Sequence, residues 1–397
     1  MENQEKALIP CKNEEKSYWA RTCSTYRFLF WALLFVLPVF VVVFMALCAG
    51  SFTRNSVFGF GKDLGSVSSF LSSDYATVSY TYREGEYTVL PYHDGVAAVT
   101  AGGIEIYSPD GARLLNVELS LSSPRAVCSQ KYLIVYDFGG RTFTVTSAYG
   151  VLFTGEADFP IYGADVADTG HFALVTASDT HLSQVFLYDA NFSLIQRFQR
   201  DSATTAVTVS DNGKYVAIGG VTAENGDAVG LVEMYRVGVK SSTFRSVLSE
   251  VVLDVDFTDN RHLAVLAAGS LRVMDLDGEW DGIVMLDGES VSAYDVSENG
   301  CALVLGTDPL RRESRVVICD EKGNILYDGM QKGEIRAVSL AADHVFWLTD
   351  AQLTRFSPEA GTCDVVQTPD GESGLFAVSE SAVRVFCAGE ARYVEFE

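Results

Sequence analysis

The sequence predicts an all-β fold, a seven- or eight-bladed β-propeller with eight blades preferred, preceded by one N-terminal transmembrane helix. Two observations carry this. Four short strands separated by Gly-bearing turns recur at spacings of roughly 36 to 48 residues through most of the chain. Ahead of them, Phe28 opens and Ala49 closes a run of 22 residues without a charge. The organisation expected is a cytoplasmic tail over residues 1–27, a helix over 28–50, a connector over 51–75 and an extracytoplasmic propeller over 76–397.

At about 1.5 Å of rise per residue, the uncharged run spans a hydrocarbon core of about 30 Å. Trp19, Tyr26 and Trp31 cluster at its start, where amphipathic rings favour the interface, and Pro38 is a kink that membrane helices tolerate. Lys12, Lys16, Arg21 and Arg27 precede the run closely, whereas Arg54 and Lys62 follow it. That asymmetry predicts a cytoplasmic N-terminus and an exported body, a single-pass protein of the cell membrane. A cleaved signal peptide calls for a shorter apolar run and a shorter basic region, although Ala46, Ala49 and Gly50 leave cleavage open. A lipoprotein reading uses Cys48, and Leu47 before it fits poorly.

The alternation Thr77-Val78-Ser79-Tyr80-Thr81-Tyr82 marks a half-buried strand. Beyond it, Gly95-Val96-Ala97-Ala98-Val99 precedes Ile104-Glu105-Ile106-Tyr107. Tyr132 to Tyr136 likewise precedes Thr142 to Val145, and His171 to Val175 precedes Gln184 to Tyr188. Further copies begin near Tyr215, His262, Cys301 and Val345. A four-stranded unit of this period cannot bury both faces alone, and radial stacking buries them while leaving few edges. The last unit, from Gly374 onward, supplies three strands, so the spare strand at residues 77–82 is placed to complete it and close the ring.

The turn and strand Val209-Ser210-Asp211-Asn212-Gly213-Lys214-Tyr215-Val216-Ala217-Ile218 resemble the Asp-Gly-Lys turns of bacterial β-propellers with YVTN, TolB-like, WD40-like and quinoprotein-like blades. Ser297-Glu298-Asn299-Gly300 repeats the turn. The resemblance covers about residues 77–397, and the layout is similar to uncharacterised membrane-anchored propellers of Gram-positive anaerobes. It departs from WD40 blades in lacking Gly-His and Trp-Asp dipeptides, and from quinoproteins in having only Trp280 and Trp347 in the body.

The net charge of −23 is uneven: residues 1–50 sum to +1 and the remainder to −24. Such a body repels phosphate backbones, so nucleic acid is not expected as a partner. No catalytic set emerges. His93, His171, His262 and His344 sit near equivalent turns of different blades, which lie around a ring and do not converge on one metal. Asp165-Val166-Ala167-Asp168-Thr169-Gly170 reads as tight-turn chemistry, since no segment fits the twelve-residue calcium loop. Neither a Gly-x-Ser-x-Gly elbow nor a phosphate loop occurs, while 48 acidic residues leave a paired-carboxylate site open. No cofactor is expected.

Five cysteines fall in the body: Cys128, Cys301, Cys319, Cys363 and Cys387. Cys301 and Cys319 flank one hairpin loop symmetrically and are a candidate disulfide. The longest second-to-third-strand loops, residues 220–229 and 306–315, are candidates for docking, with Asn225 and Asp227 in one and Asp308, Arg311 and Arg312 in the other. The function expected is a membrane-anchored, non-enzymatic scaffold for protein or cell-envelope contacts. The alternatives are a quinoprotein-like or lyase-like envelope enzyme with a site in the central funnel, and a ligand-sensing ectodomain.

Overall fold

Eight antiparallel sheets of four strands each make up the body. The computed structural model describes residues 75–396 apart from 83–86, 94, 309–312 and 369–372. Compactness divides the chain into Met1–Gly61, which contains none of the described residues, and Lys62–Glu397. The expected membrane segment therefore lies outside the described residues. Among those described, no helix is long and apolar enough to cross a membrane.

The first strand of each sheet is innermost. Blades 1 to 8 begin with Tyr87–Tyr92, Pro124–Cys128, Ile161–Val166, Ala203–Val209, Val252–Phe257, Val291–Ser297, Ala337–Ala341 and Gly374–Ser379, and these strands face their neighbours around a central channel. Blade 8 draws three strands from the end of the chain. Its outermost is Val78–Ser79, paired antiparallel with Glu390–Glu395 through Val78 to Ala391 and Ser79 to Glu390. The count is thus eight, and the early alternating segment closes the ring as its pattern predicts.

The burial gradient across a blade explains the composition of its strands. Middle strands such as Gly103–Tyr107 and Phe172–Thr176 are buried along their whole length, because adjacent blades cover both faces. They read as continuous apolar runs. Outermost strands such as Ile325–Lys332 cover the core with one face only, so exposed and half-buried residues alternate along them. The hydrophobic core accordingly separates into eight clusters, one at each seam between blades. At the seam of blades 1 and 2, Ile104, Ile106, Leu133 and Val135 are all completely buried, each contributing about 1.5–3 kcal/mol against exposure. At the closing seam, Val78 and Tyr80 pack among Val89, Val96, Tyr107 and Phe376.

The frequent Asp residues of the turns between third and fourth strands have a structural task. Asp189, Asp275 and Asp320 each accept the amides two and four residues ahead through one carboxylate oxygen, at 2.8–2.9 Å. Part of the chain's acidity is therefore turn chemistry.

Candidate functional site

Strand direction alternates within a blade, so the turns from first to second and from third to fourth strands share one face. The second-to-third-strand loops and the links between blades share the other. The candidate docking segments belong to the latter. Residues 220–229 form no loop: Tyr215–Glu224 and Asp227–Arg236 pair to their ends, with Glu224 opposite Asp227. Asn225 and Gly226, both at positive φ (53° and 95°), make the tight primed turn that matches strand twist. Asn225 and Asp227 thus cap a long ladder in which the alternating sequence Val221-Thr222-Ala223-Glu224 continues the strand. Arg311 and Arg312 lie outside the described residues, and Asp308 ends its strand at backbone level only. Cys301 and Cys319 are direct cross-strand partners, both completely buried, and both are free thiols. Cross-strand Cβ atoms sit about 4.5–5.5 Å apart against about 3.8 Å in a disulfide, so this pairing does not by itself bring the sulfurs together.

The opposite face carries the concave feature. A funnel of about 940 Å³ opens there at the centre of the ring, and all eight blades contribute to its wall. Blades 3 to 6 supply its acidic side, with Asp165, Asp168, Asp211, Asp256 and Glu298. Blades 7, 8 and 1 supply a less acidic side, through Leu340, Ala342, Ala377, Val378 and Pro91 together with Glu380 and His93. No Lys or Arg lines it among the described residues, and His93 is the sole basic side chain in its wall. Of the turn histidines, His171, His262 and His344 are not part of the lining. Among the described residues, no group of three or more His, Cys, Asp or Glu is placed to hold a metal.

The inner strands position these carboxylates by a repeated offset. Asp165, Thr208, Asp256, Asp295 and Ser339 each stand two residues before the turn, on consecutive blades. From there all but Asp256 reach the next blade. Asp165 Oδ2 accepts the Val209 amide at 2.7 Å, and the Thr208 hydroxyl donates to Asp256 Oδ1 at 3.0 Å. Asp295 Oδ2 accepts the Leu340 amide at 2.8 Å and the Ser339 hydroxyl at 3.1 Å, while Ser339 Oγ accepts the Ala377 amide at 3.1 Å. Tyr294 donates to Asp254 Oδ2 at 2.6 Å, joining blades 5 and 6. Five consecutive seams are therefore stitched by polar groups beside the channel. This corrects the reading of Asp165 as turn chemistry. The turn closes through the Gly170 amide on the Ala167 carbonyl, and Asp165 belongs to the strand.

The enclosure has electrostatic consequences. Burial among the inner strands pushes Asp165 up to about 6. Asp256, although its surface opens to the funnel, is raised above the usual carboxylate range by desolvation among the crowded inner strands and by Asp165 and Asp254 nearby. Burial likewise raises Asp254 and Asp295, and burial with Asp168 and Glu298 raises Asp211. Cys128, at the same wall, is pushed up to about 12 by burial and by Asp165 and Asp168. A wall of carboxyls whose sole basic side chain is His93 suits cationic groups better than anions.

A family profile described as a family of unknown function, DUF5711, matches residues 71–360. No curated protein matches the chain. Among solved structures, it is similar to a eukaryotic initiation factor at 12% identity and a TM-score of 0.49, over 82% of this chain and 96% of that one. A second is KlHsv2 with loop 6CD replaced by a Gly-Ser linker, at 14% and 0.46, over 67% and 88%. A third is the Pan2 WD40 domain of Neurospora crassa, at 11% and 0.46, over 69% and 90%. The eight-blade count rests on the sheets themselves. By the profile match, which spans most of its length, the chain belongs to the DUF5711 family.

Proposed function

We propose that this DUF5711 member is a membrane-anchored, extracytoplasmic scaffold that binds a protein or cell-envelope partner without turning it over, and that the funnel face is its binding surface. The observation that carries the reading is the convergence of all eight blades on one concave mouth. A rigid ring presenting many turns to one cavity is a platform built for recognition. The partner segment that suits it carries positive charge, concentrated toward blades 3 to 6. The uncharged run from Phe28 to Ala49 and the Lys/Arg excess before it support anchoring and export.

The test is capture of partners by the tagged full chain from native membranes, comparing wild type with the double variant Asp211→Asn, Glu298→Gln. A partner held by wild type and lost from the variant, with thermal stability unchanged, supports the reading. Equal capture by both moves the binding surface away from the funnel.

One observation favours a second reading, the envelope enzyme. Asp165 and Asp256, two carboxyls of raised pKa on the wall of one funnel, are the kind of groups that acid–base chemistry uses. Turnover of an envelope component that is abolished by Asp256→Asn, with partner capture intact, would select it.

A further inference from the structure

We infer that the mouth of the central channel opposite the funnel is a second docking surface, shaped for a protein segment that carries an apolar side chain beside acidic ones. Its framework is a repeated irregularity. In blades 3 to 6 the innermost strand holds one residue more than the second strand opposite it, a bulge at Tyr162, Thr205, Leu253 and Ser292. Each stands three residues before its strand's member of the polar row, at the end of the strand away from the funnel. Blades 1, 2 and 7 pair the same strands without a bulge, and blade 8 has its own at Val378, in the funnel wall. A bulge leaves its extra residue outside the ladder and re-aims the side chain. All four bulged residues are exposed, although their strands are the innermost of the ring and pack between neighbouring blades. The open side of an innermost strand is the channel. The bulges therefore turn two large side chains, Tyr162 and Leu253, and two hydroxyls toward that mouth.

Blade 2 completes the surface beside Tyr162. Its loop Phe138-Gly139-Gly140-Arg141 is fixed to the first residue of the innermost strand of blade 3. The Gly139 amide donates to the Ile161 carbonyl at 2.8 Å, and the Ile161 amide to the Gly140 carbonyl at 2.7 Å. From behind, Asp137 Oδ1 accepts the Ser122 and Ser123 amides at 2.8 and 2.7 Å. The loop so held sets Phe138 edge to face with Tyr162, ring centroids 5.6 Å apart, while the two rings remain 43% and 49% exposed. An aromatic pair already fixed in place loses little side-chain entropy when an apolar group binds it, which is how such anchors come to dominate interfaces. The Arg125 guanidinium lies 5.9 Å from the Phe138 centroid, and Arg141 ends the loop; both side chains are exposed. Arg197, Arg272, Arg315 and Arg336 each pair with a carboxylate, whereas Arg141 has no such partner among the described residues. Two arginines beside an aromatic pair complement carboxylates set next to an apolar side chain. The funnel, which no described Lys or Arg lines, has the reverse preference. A polyanion or an anionic bilayer needs many cations to overcome the −24 of the body, so a short peptide segment is the occupant that two arginines suit.

Selection of displayed linear peptides of random sequence on the immobilised full chain in detergent micelles tests it. Peptides with acidic residues next to an aromatic or aliphatic one are expected to be enriched. One of these, resynthesised with a fluorophore, should bind about tenfold more weakly to Arg141→Glu and to Tyr162→Ser, with thermal unfolding unchanged. Arg141→Glu alters an exposed side chain and serves if Tyr162→Ser does not fold. The funnel variant Asp211→Asn, Glu298→Gln should leave this affinity unchanged; a loss there places the peptide in the funnel and overturns the inference. A selection that yields no acidic peptide, or acidic peptides that the Arg141 and Tyr162 variants hold as well as wild type does, also overturns it. Binding of wild type to phosphatidylglycerol vesicles in place of peptides, abolished by Arg141→Glu, would give the surface to an anionic membrane and overturn the peptide occupant.

Discussion

Arg384 is completely buried on the second strand of blade 8, where an unpaired guanidinium would be costly. Its Nη1 donates to the Ala76 carbonyl and its Nη2 to that of Pro109, both at 2.8 Å. The rings of Tyr75 and Tyr393, themselves stacked at 4.5 Å, lie 6.0 and 5.9 Å from it. One side chain thus ties the N-terminal strand, blade 8 and the last turn of blade 1 together. Arg384→Leu is expected to cost about 3 kcal/mol, since two carbonyls lose their donor, and Arg384→Lys should not restore it because an ammonium lacks the fork. Thermal unfolding measures both, and an unchanged midpoint would show that the ring closes without this residue. Cysteine chemistry belongs to the same scale. Burial holds the Cys301 thiol far above its ordinary range and pushes Cys319 up to about 12, whereas Cys363 is exposed. In the native protein, maleimide should label Cys363 quickly and leave Cys301 and Cys319 unlabelled until unfolding. Failure of the latter two to label after unfolding without reductant would reveal a disulfide.

At the scale of the element, Val78–Ser79 is a strand of two residues with a large share in the architecture. Val78 is completely buried, the Tyr80 amide bonds the Gly389 carbonyl at 3.0 Å, and the Thr81 amide and hydroxyl bond Glu105 of blade 1 at 2.8 and 2.9 Å. Val78→Asp places a charge in the closing seam and should destabilise the body by about 3–5 kcal/mol, with early protease cleavage near residues 374–396. Uniform cleavage across blades would contradict a local opening. The hairpin tip at Gly226 behaves differently. A Cβ there meets nothing within 4 Å, so only the positive φ resists substitution. Gly226→Ala should cost about 1 kcal/mol and leave partner capture unchanged, which a chemical denaturation curve and the capture assay together check.

For the whole molecule, electrostatics sets the response to conditions. The described body carries most of the chain's negative excess, and like charges oppose compaction. Raising ionic strength from about 10 mM to about 500 mM should raise the unfolding midpoint, because the Debye length falls from about 30 Å to about 4 Å. A lower midpoint at high salt would mean that attractive pairs such as Arg315 with Asp328, at 2.8 Å, outweigh the repulsion. The pH response has two limbs. Asp165, raised to about 6, contributes stability that is complete below the unfolded value and is lost as pH rises through about 6. Asp328, lowered by its hydrogen bond to Arg315, contributes stability present above the ordinary carboxylate range and lost as pH falls. Maximum stability is therefore expected on the acid side of neutrality.

Much of this architecture was legible in the amino-acid sequence, because it follows from short-range pattern. Turns such as Ser210-Asp211-Asn212-Gly213 and apolar runs such as Phe172 to Val175 repeat at the period of a blade, and a blade with two apolar faces must stack on others. The closing strand was legible for the same reason, from the alternation over residues 77–82 and the three-stranded end. The funnel was not. Asp165 reads locally as one more turn aspartate, and its role comes from the Val209 amide, 44 residues away on the next blade. The hairpin of residues 220–229 was misread because its Gly and Asn suggest a loop, whereas cross-strand pairing extends the ladder to a two-residue tip. Strand, turn and repeat are decided by neighbours along the chain. Which carboxylates share one cavity is decided by neighbours across seams, which only the closed ring brings together.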